Sequence, residues 1–344
     1  MRLLVCTQRV NKNDPILGFF HRWLIEFAEH CDSVEVICLE AGSYDLPRHV
    51  RVHSLGKELG AGSRLKYTWR LFRYAFSLRH EYDAVFIHMN PQYVVLLGWF
   101  WRLLKKRTLL WYSHRATSLW LRLGVLMADQ VFSTTPHAMQ IKTPKVQFVG
   151  HGIDTEYFSL TVAPANNEWR LVYVGRIAPI KRIELIIETY KHLRAQGQPV
   201  GLELIGAADS EQTDYQEKLK AMIPDDLHDH VVWQGSVPHH ALASHLAKAQ
   251  VLINTSPTGG MDKTVLEAMS TGVPVVVTNE AYREVLADFP ELVIPDGQVE
   301  GLVEATLTAV LLSRSDQNRQ KFRAAVTGAM SLKKLVTRII ASLS

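Results

Sequence analysis

The stretch LINTSPTGGMDKTVLEAMSTGVPVVV, which runs from Leu252 to Val277, decides the fold. It starts as an apolar strand, breaks at Pro257, Gly259 and Gly260, continues as a short helix and ends in a second apolar strand. A strand, a glycine loop, a helix and another strand form half of a doubly wound unit, and such a loop can bring backbone N–H groups close to an anion. On these residues alone, an ordinary connection whose glycines only make turns explains the pattern equally well.

Length and composition predict a globular protein of two domains. The chain has 344 residues, of which 47% are apolar and 21% charged, and these are the values of ordinary folded domains. The three cysteines (Cys6, Cys31 and Cys38) lack the spacing of metal ligands and are too few for a disulfide framework, so we expect a reducing, cytoplasmic location. No signal peptide or membrane-spanning segment is expected, because the longest apolar run, 93–101, is half the required length.

Charge is distributed unevenly along the chain. Residues 1–150 carry 20 Lys and Arg against 11 Asp and Glu, whereas the remainder carries 18 against 23. A basic half joined to a mildly acidic half indicates that the first half meets an anionic surface or substrate.

Predicted strands alternate with predicted helices along most of the chain, which requires mostly parallel sheets with crossover helices. The polar segment 163–169 separates two such series, so we expect domains over 1–150 and 151–329, with a cleft where their strand ends face each other. We predict a strand over 108–114, TLLWYSH, that ends at His114. The segment 299–344 reads as helical throughout, and its last part, about 330–344, has an apolar side suited to packing on the first domain.

The segment VGRIAPIK (174–181) places Gly175, Arg176 and Lys181 at the end of a strand and the start of a helix. A forked guanidinium, a compact ammonium and a helix N-terminus together suit a diphosphate, and could take the place of a divalent cation. The alternative is a pair of solvated basic side chains on a loop. The second glycine loop, with Glu267 in its helix, follows another strand of the same sheet, and this convergence favours a ligand site.

These segments resemble family 4 glycosyltransferases of the GT-B fold: VGRIAPIK, then VVWQGSVPHHALASHLAKAQVLINTSP, then LEAMSTGVPVVVTN. The resemblance implies two Rossmann-like α/β domains whose parallel sheets face each other across a cleft. It implies a nucleotide-sugar donor in the second domain, an acceptor in the first, and metal-independent transfer with retention at the anomeric carbon. No cofactor is implied. By the same resemblance Arg176 and Lys181 contact the donor diphosphate, and Glu267 accepts hydrogen bonds from the ribose hydroxyls.

The chain departs from the family at the usual two-glutamate motif, EGFGLxxLE, where it has GGMDKTVLE. Gly259 stands where the first glutamate is expected, and Gly260 keeps its glycine. Asp262 and Lys263 are substitutions, followed by Thr264. We hypothesise that Lys263 adds a phosphate contact and that Asp262 or backbone groups contact the sugar. The alternative is that Asp262 only caps the next helix.

In the first domain the resemblance places Gly18 near the donor phosphate and His114 in the cleft, with Arg115 beside it. A helix start explains Gly18 and an ordinary loop position explains His114 equally simply. His88 and Asn90, at the end of the neighbouring predicted strand, are candidates for the acceptor side.

The predicted helix SRLKYTWRLFRYAFSLRH (63–80) alternates basic and aromatic residues, and a basic run follows at 105–107. Both suit an anionic bilayer, where each Lys or Arg contributes about 1 kcal/mol. This predicts a peripheral location at the inner face of the plasma membrane and a lipid-linked acceptor. A core-packed helix with a solvated basic side is the alternative. Nucleic acid is not an expected partner, because no stacking platform or binding motif accompanies the charge.

The sequence therefore predicts a hexosyltransferase that moves a sugar from a UDP- or GDP-sugar to a glycan or lipid-linked acceptor, in cell-envelope polysaccharide or glycolipid synthesis. Two alternatives remain open. A nucleotide-sugar epimerase or hydrolase on the same fold would use Asp262 as its acid or base. A silent nucleotide-sugar-binding protein is suggested by Gly259.

Overall fold

The computed structural model describes residues 1–60, 62–162, 168–257 and 260–344. The chain divides into two compact units. Unit 1 comprises Met1–Gly152, Pro238–His240 and Met330–Ser344, and unit 2 comprises Ile153–Val237 and Ala241–Ala329. The main division therefore falls two residues after the predicted boundary.

Each unit is built on a parallel sheet. The 7-stranded sheet of unit 1 has the order β3-β2-β1-β4-β5-β6-β7, with β1 (Arg2–Val10), β2 (Ser33–Ala41), β3 (Val50–Ser54), β4 (Ala84–His88), β5 (Arg107–Trp111), β6 (Gln130–Ser133) and β7 (Val146–Phe148). The 5-stranded sheet of unit 2 has the order β10-β9-β8-β11-β12, with β8 (Trp169–Val174), β9 (Val200–Ile205), β10 (Val231–Gly235), β11 (Val251–Asn254) and β12 (Val275–Val277). The central strands are continuous apolar runs because helices cover both faces of a parallel sheet.

The helices that connect and cover these strands are α1 (Phe19–His30), α2 (Arg64–Ser77), α3 (Pro91–Leu103), α4 (Leu119–Met127), α5 (Ile183–Ala195), α6 (Thr213–Ala221), α7 (His239–Leu246), α8 (Lys263–Ser270), α9 (Val299–Ser313), α10 (Asp316–Thr327) and α11 (Leu332–Leu343). The segment 299–344, predicted to be helical throughout, forms three helices with short breaks between them. Ser315 and Ser331 interrupt it, because each hydroxyl accepts a backbone N–H of the following turn as an N-cap.

In unit 1, successive residues of each strand point to opposite faces of the sheet. Leu3 and Val5 of β1 pack with α1 and α11 on one face, whereas Leu4 and Cys6 pack with α2, α3 and α4 on the other. The last helix, α11, thus completes the core of unit 1, although it is separated from the rest of that unit in sequence.

In unit 2, α8 is deeply buried: every residue from Val265 to Ser270 is buried. Arg323 of α10 holds its end: the guanidinium donates to the Ser270 carbonyl at 2.7 Å and to the carbonyls of Phe158 and Thr155 at 2.9 and 2.8 Å. Helix α8 is therefore held by packing along most of its length and by these hydrogen bonds at its carboxyl end.

Within the described ranges, every helix falls short of the length and apolar character that a membrane-crossing segment needs.

Candidate active site

The candidate site of unit 2 lies at the carboxyl ends of β8, β11 and β12, which are neighbours in the sheet. Gly175 and Arg176 follow β8, and a polar run, Thr255 and Ser256, follows β11. Helix α8 starts beside them and brings Asp262 to the same edge. Because loops after parallel strands converge at one edge, residues far apart in sequence become neighbours here.

Asp262 is the centre of this polar cluster. Its Oδ2 accepts hydrogen bonds from Lys181 Nζ at 2.7 Å, Asn254 Nδ2 at 2.9 Å and Ser256 Oγ at 3.2 Å. Burial by itself raises the pKa of this carboxyl, but the Lys181 charge and the three hydrogen bonds outweigh it, so the pKa lies below the ordinary value. The carboxylate is therefore ionised and firmly held.

Asp262 occupies the N-cap position of α8, yet its side chain makes no capping hydrogen bond. The hypothesis that it serves only as a helix cap is therefore wrong. The reason is electrostatic: the carboxylate turns to the Lys181 ammonium, and a charge-assisted hydrogen bond is roughly twice as strong as a neutral one. The backbone N–H of Asp262 instead donates to the Tyr282 hydroxyl at 2.6 Å.

Lys181 ends a short 3₁₀ turn, Pro179–Lys181, and its side chain is 17% exposed. The Thr255 hydroxyl donates to the Lys181 carbonyl at 2.8 Å, which holds the backbone of this turn against the end of β11. An ammonium has three donors, and the Asp262 contact uses one. The site thus presents a cation whose direction is set by a neighbouring carboxylate.

Arg176 lies close in sequence but has a different environment. Its guanidinium is 57% exposed and lies 3.7 Å from the exposed Asp209, and such a surface pair contributes little. Its backbone is better fixed, because the Tyr173 hydroxyl donates to the Arg176 carbonyl at 2.8 Å. Gly206 has φ +141°, and a Cβ there would lie 1.8 Å from the Gly175 carbonyl oxygen, so only glycine lets these two strand ends approach.

Lys263 begins α8 and keeps part of its surface exposed. Burial lowers the pKa of its ammonium to about 7, and the nearby Glu267 partly opposes this shift. Glu267 lies one turn later on the same side of the helix and is 3% exposed. An amine that titrates near neutral pH thus stands next to a buried carboxylate.

The other predicted residues of the loop are backbone or packing positions. The Thr264 hydroxyl donates to the Val174 carbonyl at 3.3 Å, which joins α8 to the end of β8. The Gly260 carbonyl accepts a hydrogen bond from Asn279 Nδ2 at 3.4 Å. Gly259, where the family motif leads us to expect a glutamate, lies outside the described residues.

Sequence reasoning missed Asn254, Ser256 and Tyr282, which hold Asp262 in place. A signal existed for the first two, because a run of polar residues directly after an apolar strand marks the carboxyl edge of a parallel sheet. Tyr282 gave no such signal. It lies 20 residues from Asp262 in sequence and meets it only through the fold.

In unit 1, His88 ends β4 and is 2% exposed. Its ring stacks on Phe20 with centroids 4.2 Å apart, and its Nδ1 lies 3.3 Å from the Thr7 hydroxyl. The Asn90 side chain donates to the His88 carbonyl at 3.3 Å. The imidazole is therefore packed among core aromatic rings, and its predicted role on the acceptor side stays a prediction.

His114 and Arg115 are exposed loop residues. The predicted strand through His114 is three residues too long, because β6 pairs with β5 only as far as Trp111 and the ladder ends there. The His114 ring organises the loop instead, with its Nδ1 accepting the Ala116 N–H at 3.0 Å. The Tyr112 hydroxyl donates to the Ala116 carbonyl at 3.0 Å, so the loop has a defined path.

Gly18 precedes α1 in a tight turn. A Cβ at this position would lie 2.3 Å from the Asp14 carbonyl oxygen, so the turn requires glycine. The Asp14 carboxylate holds the turn by accepting the N–H groups of Ile16 and Leu17 at 2.8 and 2.6 Å, and it pairs with Arg9. These contacts account for Gly18 structurally and leave its predicted phosphate contact as a prediction.

Over the described residues, no group of three or more His, Cys, Asp or Glu side chains is arranged to hold a metal ion.

The sequence profile of the family described as glycosyl transferases group 1 matches residues 168–311, a range that includes the whole polar cluster of unit 2. No curated protein matches the chain by sequence.

Several solved structures share the fold over the whole chain. The Anabaena protein HepE in complex with UDP and glucose has a TM-score of 0.72 at 16% identity, covering 100% of this chain and 99% of its own. Sucrose-phosphate synthase from Thermosynechococcus elongatus has a TM-score of 0.70 at 19% identity, covering 99% and 98%. UDP-GlcNAc 2-epimerase from Methanocaldococcus jannaschii has a TM-score of 0.61 at 13% identity, covering 99% and 100%. The two parallel sheets and the similarity to these structures identify the GT-B fold, and with the profile match they support a GT-B glycosyltransferase.

Proposed function

We propose that this protein is a retaining glycosyltransferase that binds a nucleotide-sugar in unit 2 and a glycan or lipid-linked acceptor in unit 1. The observation that carries the proposal is the Lys181 ammonium, held by the Asp262 carboxylate at the carboxyl edge of a parallel sheet. Ligands of open α/β sheets bind at this edge. An ammonium aimed by a neighbouring carboxylate needs no rearrangement to meet a phosphate oxygen.

The donor is a UDP- or GDP-sugar. HepE, which shares the fold, has been solved with UDP and with UDP-glucose. In our proposal Lys181 and Arg176 contact the diphosphate, and Lys263 adds a third positive charge when it is protonated. The buried Glu267 carboxylate accepts hydrogen bonds from the ribose diol, as a single carboxylate does in dinucleotide-binding folds.

Transfer breaks the bond between the anomeric carbon and the leaving phosphate oxygen and forms one to the acceptor oxygen on the same face. The acceptor proton passes to the leaving phosphate, so no separate base is needed. Arg176 and Lys181 stabilise the charge that develops on the diphosphate, a contribution that is usually the largest in such sites. We propose that the reaction requires no metal and no cofactor.

On the acceptor side, His114, Arg115 and Asn90 follow β5 and β4 and are at least partly accessible. In our proposal they bind the acceptor hydroxyl and its neighbouring groups. The positive charge of residues 1–150 suits a lipid-linked acceptor at an anionic membrane, and hence a peripheral location at the inner face of the plasma membrane.

Because the chain is similar to UDP-GlcNAc 2-epimerase, an epimerase is the alternative function. A base for that reaction should have a pKa close to the working pH. Asp262 does not fit, because three hydrogen bonds and the Lys181 charge hold its pKa below the ordinary value. This argues against Asp262 as the base of an epimerase.

The decisive experiment is a thermal-shift screen of UDP- and GDP-sugars, followed by a transfer assay with the donors that bind. At a concentration 100 times the Kd, a donor stabilises the protein by about 2.7 kcal/mol, which raises the melting temperature. Glu267→Gln should weaken the response to the whole nucleotide, whereas Glu188→Gln, at a partly exposed position of α5, should not. Turnover of the donor without acceptor would support the epimerase or hydrolase, and binding without transfer to any acceptor would support the silent binding protein.

A further inference from the structure

Helices α3 and α4 expose an unusual number of large apolar side chains on the outer surface of unit 1. Leu103, Leu119 and Leu126 are 72%, 71% and 69% exposed. We use the term apolar face for the exposed large apolar residues of these two helices: Trp99, Leu103, Leu119, Trp120, Leu123 and Leu126. Single exposed leucines are common, but a contiguous apolar surface marks an interaction site.

The spacing of residues in α4 shows that its exposed leucines share one side of the helix. Leu121, Gly124 and Val125 are buried towards the core, whereas the apolar face follows on the other side of the same helix. The helix reads LWLRLGVLM, so Arg122 is its single charged residue. A helix that is apolar on all sides is normally buried on all sides. Unit 1 buries only one side of α4.

The exposed surfaces of the two helices meet at their carboxyl ends. A groove of about 350 Å³ runs between them, lined by Gly98, Trp99, Arg102, Leu103 and Met127. The Arg102 guanidinium donates to the Met127 carbonyl at 3.3 Å and ties the end of α3 to the end of α4.

Helix α2 extends this surface with basic and aromatic groups. The ring of Phe76 on α2 lies 4.1 Å from that of Phe100 on α3, and Trp99 contacts the same ring at 5.9 Å. Further along α2, the Arg73 guanidinium lies over the Trp69 ring at 5.7 Å. Exposed aromatic rings next to guanidinium groups are typical of the water–lipid interface, where an apolar body and a polar tip are both satisfied.

Charge identifies the partner. The sequences of α2, α3 and α4 contain no Asp or Glu, and their basic residues are Arg64, Lys66, Arg70, Arg73, Arg102 and Arg122. A second copy of the chain would bring like charges together across the contact, which is unfavourable. An anionic bilayer accepts both the leucines and the positive charge.

We propose that the apolar face enters the headgroup region of an anionic bilayer while the basic residues of α2 contact lipid phosphates. The sequence pointed to α2 as the membrane contact, and the structure assigns the apolar anchor to α3 and α4. This proposal extends the proposed function, and its statement about a lipid-linked acceptor rests on that function. Leu119 is five residues from His114, so the two lie within about 18 Å, and a lipid-linked acceptor in the bilayer would be presented close to that histidine.

The test uses the full chain without donor, sedimented with vesicles of phosphatidylglycerol and phosphatidylcholine in equal amounts or of phosphatidylcholine alone, at physiological salt. We expect binding to the anionic vesicles and weaker binding to the neutral ones. Leu126→Gln should weaken binding about tenfold, as expected for loss of one buried leucine, and the Leu119→Gln/Leu123→Gln/Leu126→Gln variant should weaken it further. Leu311→Gln is the matched control, because Leu311 is similarly exposed, at 65%, on α9 of unit 2.

A charge arm compares Arg122→Glu with Arg314→Glu, an exposed position at the end of α9. Only the first should reduce binding, and the reduction should be larger on anionic vesicles. Equal binding of test and control variants, or no binding of the wild type, would overturn the proposal. A wild-type protein that is dimeric by light scattering, with a monomeric triple variant that still binds vesicles, would assign the face to a second copy. Because no donor is present, these outcomes are independent of whether glycosyl transfer is found.

Discussion

The carboxyl edges of the two sheets differ in how they hold their polar groups. In unit 2, Lys181, Asp262, Asn254 and Ser256 form a charged cluster with hydrogen bonds of 2.7 to 3.2 Å. In unit 1, the corresponding edge has His88 stacked on Phe20 in the core and His114 on an exposed loop. The first edge is a network of charged and hydrogen-bonded side chains, whereas the second combines a buried histidine with an exposed loop that also carries Arg115. The difference matches the division of labour that we propose between donor and acceptor.

The largest expected effect concerns the charged edge. Lys181→Met keeps the length of the side chain but removes the charge, and it leaves the Asp262 carboxylate without its ion pair. We expect kcat to fall by about 10² to 10³, since removing one preorganised stabiliser of transition-state charge commonly has this effect. Steady-state kinetics with the best donor from the screen would measure it.

Lys191→Met is the matched control, because Lys191 pairs with Glu188 on α5 away from the strand ends. It should leave kcat unchanged. If Lys181→Met lost only thermal stability and kept kcat, the cluster would be structural, and the comparison of the two edges would lose its functional meaning.

The second prediction separates the two histidines at the carboxyl edge of the unit 1 sheet. His88→Ala removes a buried ring from an aromatic stack and should lower the free energy of unfolding by about 3 kcal/mol. His114→Ala removes an exposed ring and should change it by less than about 0.5 kcal/mol, while lowering transfer activity. Urea unfolding and transfer rates of both variants would be compared. Equal loss of stability in the two would contradict the core position of His88.

The smallest effect concerns Lys263. Burial lowers the pKa of its ammonium from an ordinary value of 10.5 to about 7. The protonated ammonium favours a bound diphosphate, so donor affinity should fall about tenfold or more between pH 6.5 and pH 8.5. Titration calorimetry would measure this, with Lys263→Met as the variant whose affinity should not depend on pH in this range.

The lowered pKa of Lys263 also makes the free energy of unfolding depend on pH, in the opposite direction to donor affinity. Between pH 7 and about pH 10 the unfolded chain keeps a proton that folded Lys263 has lost, so the free energy of unfolding rises with pH. Lys263→Met should lack this rise. An unchanged pH profile in the variant would mean that another group titrates.

Much of the fold could be predicted from the sequence, because apolar strands alternating with amphipathic helices specify parallel sheets wherever they occur. The predicted helix over 63–80 corresponds to α2, and α8 follows the end of β11 as expected. Boundaries were less accurate: β5 ends at Trp111 because its neighbour stops pairing there. The segment after Val299 forms three helices because serine N-caps interrupt it.

The site was predicted in part. Strand ends and glycine loops located Lys181, Asp262 and Glu267 in one region, since the carboxyl edge of a parallel sheet collects them. The pairing of Lys181 with Asp262 could not be predicted, because these residues lie 81 positions apart and either could have met a ligand or solvent instead.

The sequence by itself determined the two-sheet α/β architecture and the residue types at its strand ends, because both follow from local periodicity and turn chemistry. Only the tertiary structure decided which charges neutralise one another, which histidine lies in the core, and that α4 exposes leucines on the side away from that core. Those outcomes depend on distances between residues that are remote in the chain, and a one-dimensional pattern contains no such distances.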